Sequence, residues 1–169
     1  GDHGVVPKEL HLPSLRPEHS YESLFTSEFT DKNGNLKLQW QWNHLPDPTL
    51  YKLLSTAYTI QTDKLSTNIP QTVNTLTQRA RFPQTKASVT LDASQLKDGD
   101  VAGLCAFQSS YAHLAVTREE HQYYLILTER NVGEISQNMT DKDILPGNET
   151  FRMPLDGPII SLCMTADFS

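Results

Sequence analysis

Apolar side chains recur at every second position in short segments of this chain, and turn-forming residues separate these segments. In Lys86–Ala93, the apolar residues Ala87, Val89 and Leu91 alternate with polar ones, which predicts a strand with one buried face. Tyr123–Leu127 is apolar at every position and predicts a central strand. Because no segment keeps a helical period for three turns, the pattern predicts an all-β fold, an antiparallel β-sandwich or jelly roll.

The same criteria place strands along the rest of the chain. They are predicted at Leu36–Asp47, Leu50–Leu54, Ala57–Thr62, Thr72–Ala80, Val101–Gln108, Ala112–Thr117, Gln122–Thr128 and Pro158–Phe168. Asp31–Asn35 and Leu96–Asp100 contain the Asn, Asp and Gly residues of tight turns. Gly103, inside a strand, predicts a close approach of two backbones. Residues 1–24 contain three prolines and no sustained periodicity, so we expect a linker or extended arm before a domain over 25–169.

The Leu36–Asp47 segment contains both tryptophans of the chain. At strand spacing, one face carries Leu36, Leu38, Trp40 and Trp42, and the opposite face carries Lys37, Gln39, Gln41 and Asn43. Trp40 and Trp42 suit either the apolar core or a sugar-binding platform, and the two leucines beside them favour the core. The amide face, followed by His44, is then the exposed or domain-facing side.

Charge and composition exclude several classes of function. Lys plus Arg is 14 and Asp plus Glu is 20, which gives a net charge of −6. A nucleic-acid or anionic-membrane partner needs a basic surface, so neither is expected. Cys105 and Cys163 each lie in a predicted strand, where a buried free thiol is the default expectation over a disulfide. Two cysteines leave the compartment open, with a secreted or periplasmic location favoured over a cytoplasmic one.

Three sequence blocks, in this order and spacing, resemble a known family. They are LQWQWNHLPD at 38–47, NTLTQRA at 74–80 and LDASQLKDGDVAGLCAFQ at 91–108. This pattern is similar to the C-terminal domain that follows the catalytic β-propeller in family 43 glycoside hydrolases, which include β-xylosidases and α-L-arabinofuranosidases. The resemblance runs from about Phe25 to the end of the chain. It implies a concanavalin A-like β-sandwich and an upstream catalytic propeller as partner.

The sequence departs from this family in two places. The family has an Arg-Pro-Gly turn where this chain has LLSTAYTIQT at 53–62, so we expect a differently built hairpin there. The family domain also continues beyond the point where this chain ends in ADFS. We therefore expect the sandwich to be incomplete within these residues, with an exposed sheet edge that a further segment or a second chain would complete.

Candidate chemistry is limited to binding. The catalytic acids of the family lie in the propeller, so none is assigned here, and Asp98 and Asp100 are interpreted as caps of a hairpin. Sugar hydroxyls could be bound by planar amide and guanidinium groups, or the same residues could face another domain: Gln39, Gln41, Asn43, His44, Gln78 and Arg79. Concanavalin A-like modules often bind calcium, for which weak oxygen-ligand candidates are Glu28, Asp31, Asp98 and Asp100. The six histidines form no zinc pattern.

Three functions remain open from the sequence. The favoured one is an accessory β-sandwich of a glycoside hydrolase acting on xylose- or arabinose-containing plant polysaccharide, packed on the propeller and shaping the rim of its active site. The second is an autonomous carbohydrate-binding module that binds oligosaccharide. The third is a purely structural or oligomerisation domain.

Overall fold

A computed structural model describes residues 25–108, 110–131 and 146–169 of the chain. The predicted linker at 1–24 lies outside the described residues. Ten strands and a single 3₁₀ turn, Ile69–Gln71, make up the regular structure of this part, and all the strand pairs are antiparallel. The all-β prediction is therefore confirmed. Within the described ranges, no helix is long and apolar enough to cross a membrane.

The largest unit is a four-stranded sheet of consecutive strands. It consists of β6 (Val101–Phe107), β7 (Tyr111–Glu119), β8 (Gln122–Arg130) and β9 (Asn148–Leu155), in the order β6-β7-β8-β9. The predicted central position of Tyr123–Leu127 is confirmed, because β8 is hydrogen-bonded on both sides. The sequence analysis missed β9. Its apolar pattern is interrupted by Glu149, Arg152 and Pro154, residues that an edge strand tolerates and a core strand excludes.

Cross-strand partners on one face of this sheet form apolar rows. One row runs Leu104, Leu114, Leu127 and Phe151 across the four strands, and the next runs Ala102, Val116, Leu125 and Met153. Val116 is fully buried, whereas Phe151 and Met153 on β9 are 47% and 42% exposed. The rows therefore pass from the core to an exposed edge. The expectation that the sandwich is incomplete, and that a further segment or second chain completes it, stays a prediction.

A long two-stranded ribbon lies beside β6 and β7. It pairs β5 (Gln84–Asp92) with β10 (Ile159–Asp167) over their whole length. Leu162 is only 2% exposed and faces its partner Val89 across the ribbon, but Val89 itself is 37% exposed. The prediction that Ala87, Val89 and Leu91 form a buried face is therefore wrong for the first two, which are exposed, and Leu91 is half-buried. Strand by strand, the sequence predicted both members of this ribbon to within two residues.

The loop after β5 joins the ribbon to the sheet. Arg118 on β7 donates from Nη1 to the Leu96 carbonyl at 2.7 Å, and the Gly99 N–H donates to the Arg118 carbonyl at 2.8 Å. Gly99 has a φ of 90°, a left-handed conformation that glycine adopts without strain. The Asp100 carboxylate accepts from the Lys97 N–H at 2.9 Å, so its predicted capping role in this turn is confirmed.

The N-terminal part, from residue 25 to about residue 80, contains only short strands. β1 (Gln41–Trp42) pairs with β4 (Leu76–Thr77), and β2 (Tyr51–Leu53) pairs with β3 (Tyr58–Ile60). The predicted strand Leu36–Asp47 is wrong in extent, because the chain turns at Leu38 and Gln39 and the Trp40 N–H donates back to the Lys37 carbonyl at 3.0 Å. The predicted strand Thr72–Ala80 shrinks to β4 for a similar reason, because the chain turns at Val73 and Asn74.

Leu38 illustrates the consequence of this turn. At strand spacing it would share the inner face of Leu36 and the tryptophans, but it is 96% exposed. The backbone reversal at Leu38 and Gln39 breaks the alternation of side chains on which that prediction depended.

The two cysteines are both free thiols, and they differ in exposure. Cys105 on β6 is half-buried, and burial raises the pKa of its thiol to about 12. Cys163 on β10 is exposed, so the prediction that it is buried is wrong. Its side chain alternates with Leu162 and therefore lies on the outer face of the ribbon.

Candidate functional site

An aromatic cluster holds the segment that contains both tryptophans. Trp40 stacks at a tilt on Phe29 with ring centroids 4.9 Å apart, and Trp42 packs on Tyr51 at 4.6 Å. Tyr58 joins the two pairs, at 5.8 Å from Phe29 and 6.0 Å from Trp42. Both tryptophans are half-buried in this cluster rather than side by side as a flat, exposed platform. The Trp40 indole N–H donates to the Glu28 carbonyl at 2.9 Å.

Tyr58 is also tied to the backbone of the neighbouring loop. Its hydroxyl donates to the carbonyl of Asn74, and burial, together with the nearby Tyr51, raises its pKa above the ordinary range. Asn74 itself is 2% exposed, with its side-chain Oδ1 accepting from the Asp47 N–H at 2.9 Å. The aromatic cluster and the Asp47 end of the Leu36–Asp47 segment are therefore both bonded to the loop that contains Asn74.

The predicted polar face does not form a continuous surface. Asn43 and His44 converge on a single acceptor, the Pro70 carbonyl: Asn43 Nδ2 donates at 3.2 Å, and His44 Nε2 makes a short contact with the same oxygen. The exposed part of His44 remains at the surface, whereas Asn43 is half-buried. Gln39 is half-buried at the turn, away from the alternation that would have aligned it with Gln41.

Gln78 has a structural role that the sequence did not reveal. Its Nε2 donates to the Thr26 carbonyl at 2.6 Å, and its Oε1 accepts from the Thr26 N–H at 3.3 Å. This pair of hydrogen bonds fixes the first described residues against β4. The amide of Gln78 is thereby occupied by the protein's own backbone.

Gln41 and Arg79 are the two predicted site residues with exposed, available side chains. Gln41 lies opposite Thr77 in the β1–β4 pair, and Arg79 follows Thr77 by two residues. Within the described part of the chain, the Gln41 amide and the Arg79 guanidinium have no hydrogen-bond or ion-pair partner. Gln41 and its cross-strand partner Thr77 lie on the same face of the β1–β4 pair. If the strand alternation continues past Thr77, Arg79 lies on that face as well.

The four calcium candidates do not converge. Glu28 pairs with Lys37, Asp31 accepts from the N–H groups of Asn33 and Asn35 at 2.8 and 2.9 Å, and Asp98 pairs with Arg118 at 3.2 Å. Asp100 caps its turn. Among the described residues, no group of three or more His, Cys, Asp or Glu side chains stands where it could hold a metal ion. As they are placed in the described part of the chain, these four candidates do not fit a calcium site.

Five of the described carboxylates show the opposite of the tuning that a general acid requires. Hydrogen bonds lower the pKa of Asp31, Asp47, Asp92, Glu149 and Asp167, mostly from backbone N–H groups and hydroxyls nearby in sequence. A glycosidase acid needs a raised pKa and a second carboxylate at a set separation. These five groups instead stabilise turns and one ion pair.

An open acidic depression of about 480 Å³ lies between the β5–β6 loop and the β7–β8 turn, lined by Asp98, Glu119, Glu120 and Tyr124. Its charges are largely balanced: Asp98 pairs with Arg118, and Glu119 accepts from Arg152 at 2.9 and 3.0 Å. The Arg152 guanidinium also lies 4.9 Å from the Tyr124 ring centroid. This arrangement is a surface ion-pair network.

Four residues that build the segment's support were missed from the sequence, namely Phe29, Tyr51, Tyr58 and Asn74. The sequence indicated only that the aromatic residues lie in short segments of strand-forming residues. Nothing in their spacing showed that they contact the tryptophans. Asn74 gave a weak signal, since Asn is one of the residues that tolerate the left-handed conformation it adopts, with φ 61°.

Comparisons with known proteins identify the family. Residues 26–157 match the family described as the β-xylosidase C-terminal concanavalin A-like domain. No curated protein sequence matches the chain significantly. Among solved structures, a bifunctional GH43-CE protein of Bacteroides eggerthii is similar to this chain, with 31% identity and a TM-score of 0.67 over 83% of this chain and 17% of that chain.

A second similar structure is an engineered GH43 glycoside hydrolase, described as displaying both endo-xylanase and exo-arabinofuranosidase activity. It shares 22% identity, with a TM-score of 0.72 over 91% of this chain and 29% of that chain. The chain thus spans less than a third of the length of either solved structure. The predicted concanavalin A-like β-sandwich is confirmed, and this chain belongs to the family of C-terminal concanavalin A-like domains of GH43 glycoside hydrolases.

Proposed function

We propose that this chain is an accessory β-sandwich of a glycoside hydrolase that cleaves xylose- or arabinose-containing plant polysaccharide. It packs on the catalytic domain, stabilises it and contributes to the rim of its active site. The single observation that carries this proposal is the family match over 26–157, in a domain class that belongs to β-xylosidases. The xylanase and arabinofuranosidase activities described for one similar structure support the choice of sugars.

The chemistry of the described residues supports an accessory rather than a catalytic role. Their perturbed carboxyl groups have lowered pKa values. Arg118 pairs with Asp98, and Arg152 pairs with Glu119 and Glu149. The side chains of Asn43, His44 and Gln78 form hydrogen bonds with backbone carbonyl groups of the protein itself. Such groups maintain a rigid module, and they leave the bond-cleaving carboxylates to be supplied by another domain.

The test uses the complete gene product that contains this chain and its catalytic domain. Deleting residues 25–169 is expected to lower the Tm of the catalytic domain and to reduce kcat/KM on aryl xylosides or arabinofuranosides. The Tm falls because binding of one domain to another stabilises the folded state. The value of kcat/KM falls because the rim of the active site loses the part that this domain contributes. A truncated enzyme with unchanged Tm and unchanged kcat/KM would refute the proposal.

A second candidate function is sugar binding at the face that presents Gln41 and Arg79. The observation that favours it is the availability of the Gln41 amide on β1 and of the Arg79 guanidinium, two residues beyond Thr77, the cross-strand partner of Gln41. Calorimetry of the complete protein with xylo- and arabino-oligosaccharides tests it. An Arg79→Ala variant should lose a binding event that a Lys52→Ala variant, changed at an exposed strand residue elsewhere, retains. Identical heats in the two variants would exclude this face.

A further inference from the structure

We draw no further inference here: the strongest candidate, the half-exposed apolar surface patch of Phe151 and Met153 on the edge strand β9, carries nothing because nothing in the described part of the structure shows what covers it.

Discussion

The side-chain amide of Asn74 bridges the backbone of Asp47 at two points. Its Oδ1 accepts from the Asp47 N–H at 2.9 Å, and its Nδ2 lies 3.4 Å from the Asp47 carbonyl as donor. The Asn74 carbonyl accepts from the Tyr58 hydroxyl. One buried residue, in the left-handed conformation at φ 61°, thus connects the end of the Leu36–Asp47 segment to the aromatic cluster that supports its start.

Replacing Asn74 by Ala should destabilise the fold by about 2–3 kcal/mol. The variant leaves the half-buried Asp47 N–H without its acceptor, and Ala tolerates the left-handed conformation less well than Asn. Chemical denaturation monitored by tryptophan fluorescence measures the change, since Trp40 and Trp42 report on the same cluster.

Two further variants identify the source of the loss. Asn74→Gly removes the amide but relieves the backbone, so it should recover only part of the stability. Asn33→Ala, at an exposed position whose side chain makes no hydrogen bond or ion pair within the described residues, should be nearly neutral. An Asn74→Ala protein as stable as the parent would show that the bridge to Asp47 contributes nothing.

The long strands of the fold could be predicted from the sequence because their patterns are local. Alternation fixes Gln84–Asp92 and Ile159–Asp167 to within two residues, and continuous apolar character identifies the central β8. The sequence missed β9, where Glu149, Arg152 and Pro154 interrupt the apolar pattern. An edge strand has one unpaired side, and it tolerates residues that a central strand excludes.

The candidate site was predicted less well, because its geometry depends on contacts between distant residues. A strand over Leu36–Asp47 would have aligned Gln39, Gln41 and Asn43, but the turn at Leu38 separates them. No local pattern showed that Gln78 would bind the Thr26 backbone or that His44 would contact the Pro70 carbonyl. Side-chain to backbone hydrogen bonds of this kind decide which polar residues remain available for a ligand.

The two cysteines should react at very different rates. At pH 8 the native protein is expected to show a single fast thiol with Ellman's reagent, that of exposed Cys163, because burial raises the pKa of Cys105 to about 12 and suppresses its thiolate. Unfolding in guanidinium chloride should release the second thiol. Cys163→Ser should abolish the fast phase and Cys105→Ser should preserve it. Two fast thiols in the native protein would contradict the burial of Cys105.

Acid should destabilise the protein through His113. This residue on β7 is 8% exposed between its cross-strand neighbours Cys105 and Thr128, and burial lowers its pKa from 6.5 to about 4. The unfolded chain therefore binds a proton at a pH where the folded chain does not. The stability that His113 contributes is complete above about pH 6.5 and is lost as the pH falls towards 4. The shift amounts to at most about 3 kcal/mol.

The measurement is the free energy of unfolding in urea between pH 4 and pH 7. His113→Gln should flatten the decline below pH 6.5, because the variant has no imidazole to protonate in the unfolded state. Equal slopes for the parent and His113→Gln would exclude His113 as the responsible group.

Gly103 should tolerate no side chain, because atoms of β7 occupy the space that a Cβ would need. A Cβ at this position would lie 2.5 Å from Ala115 Cα and 2.7 Å from Ala115 Cβ, and closer still to the Leu114 carbonyl oxygen. Gly103→Ala must therefore push two hydrogen-bonded strands apart, and we expect a loss of about 3 kcal/mol or more by urea denaturation. Gly157→Ala is the matched control, since no atom lies within 4 Å of its Cβ position and the change should be almost neutral. A Gly103→Ala protein as stable as that control would mean that the sheet accommodates the methyl group by a shift of β6, an edge strand.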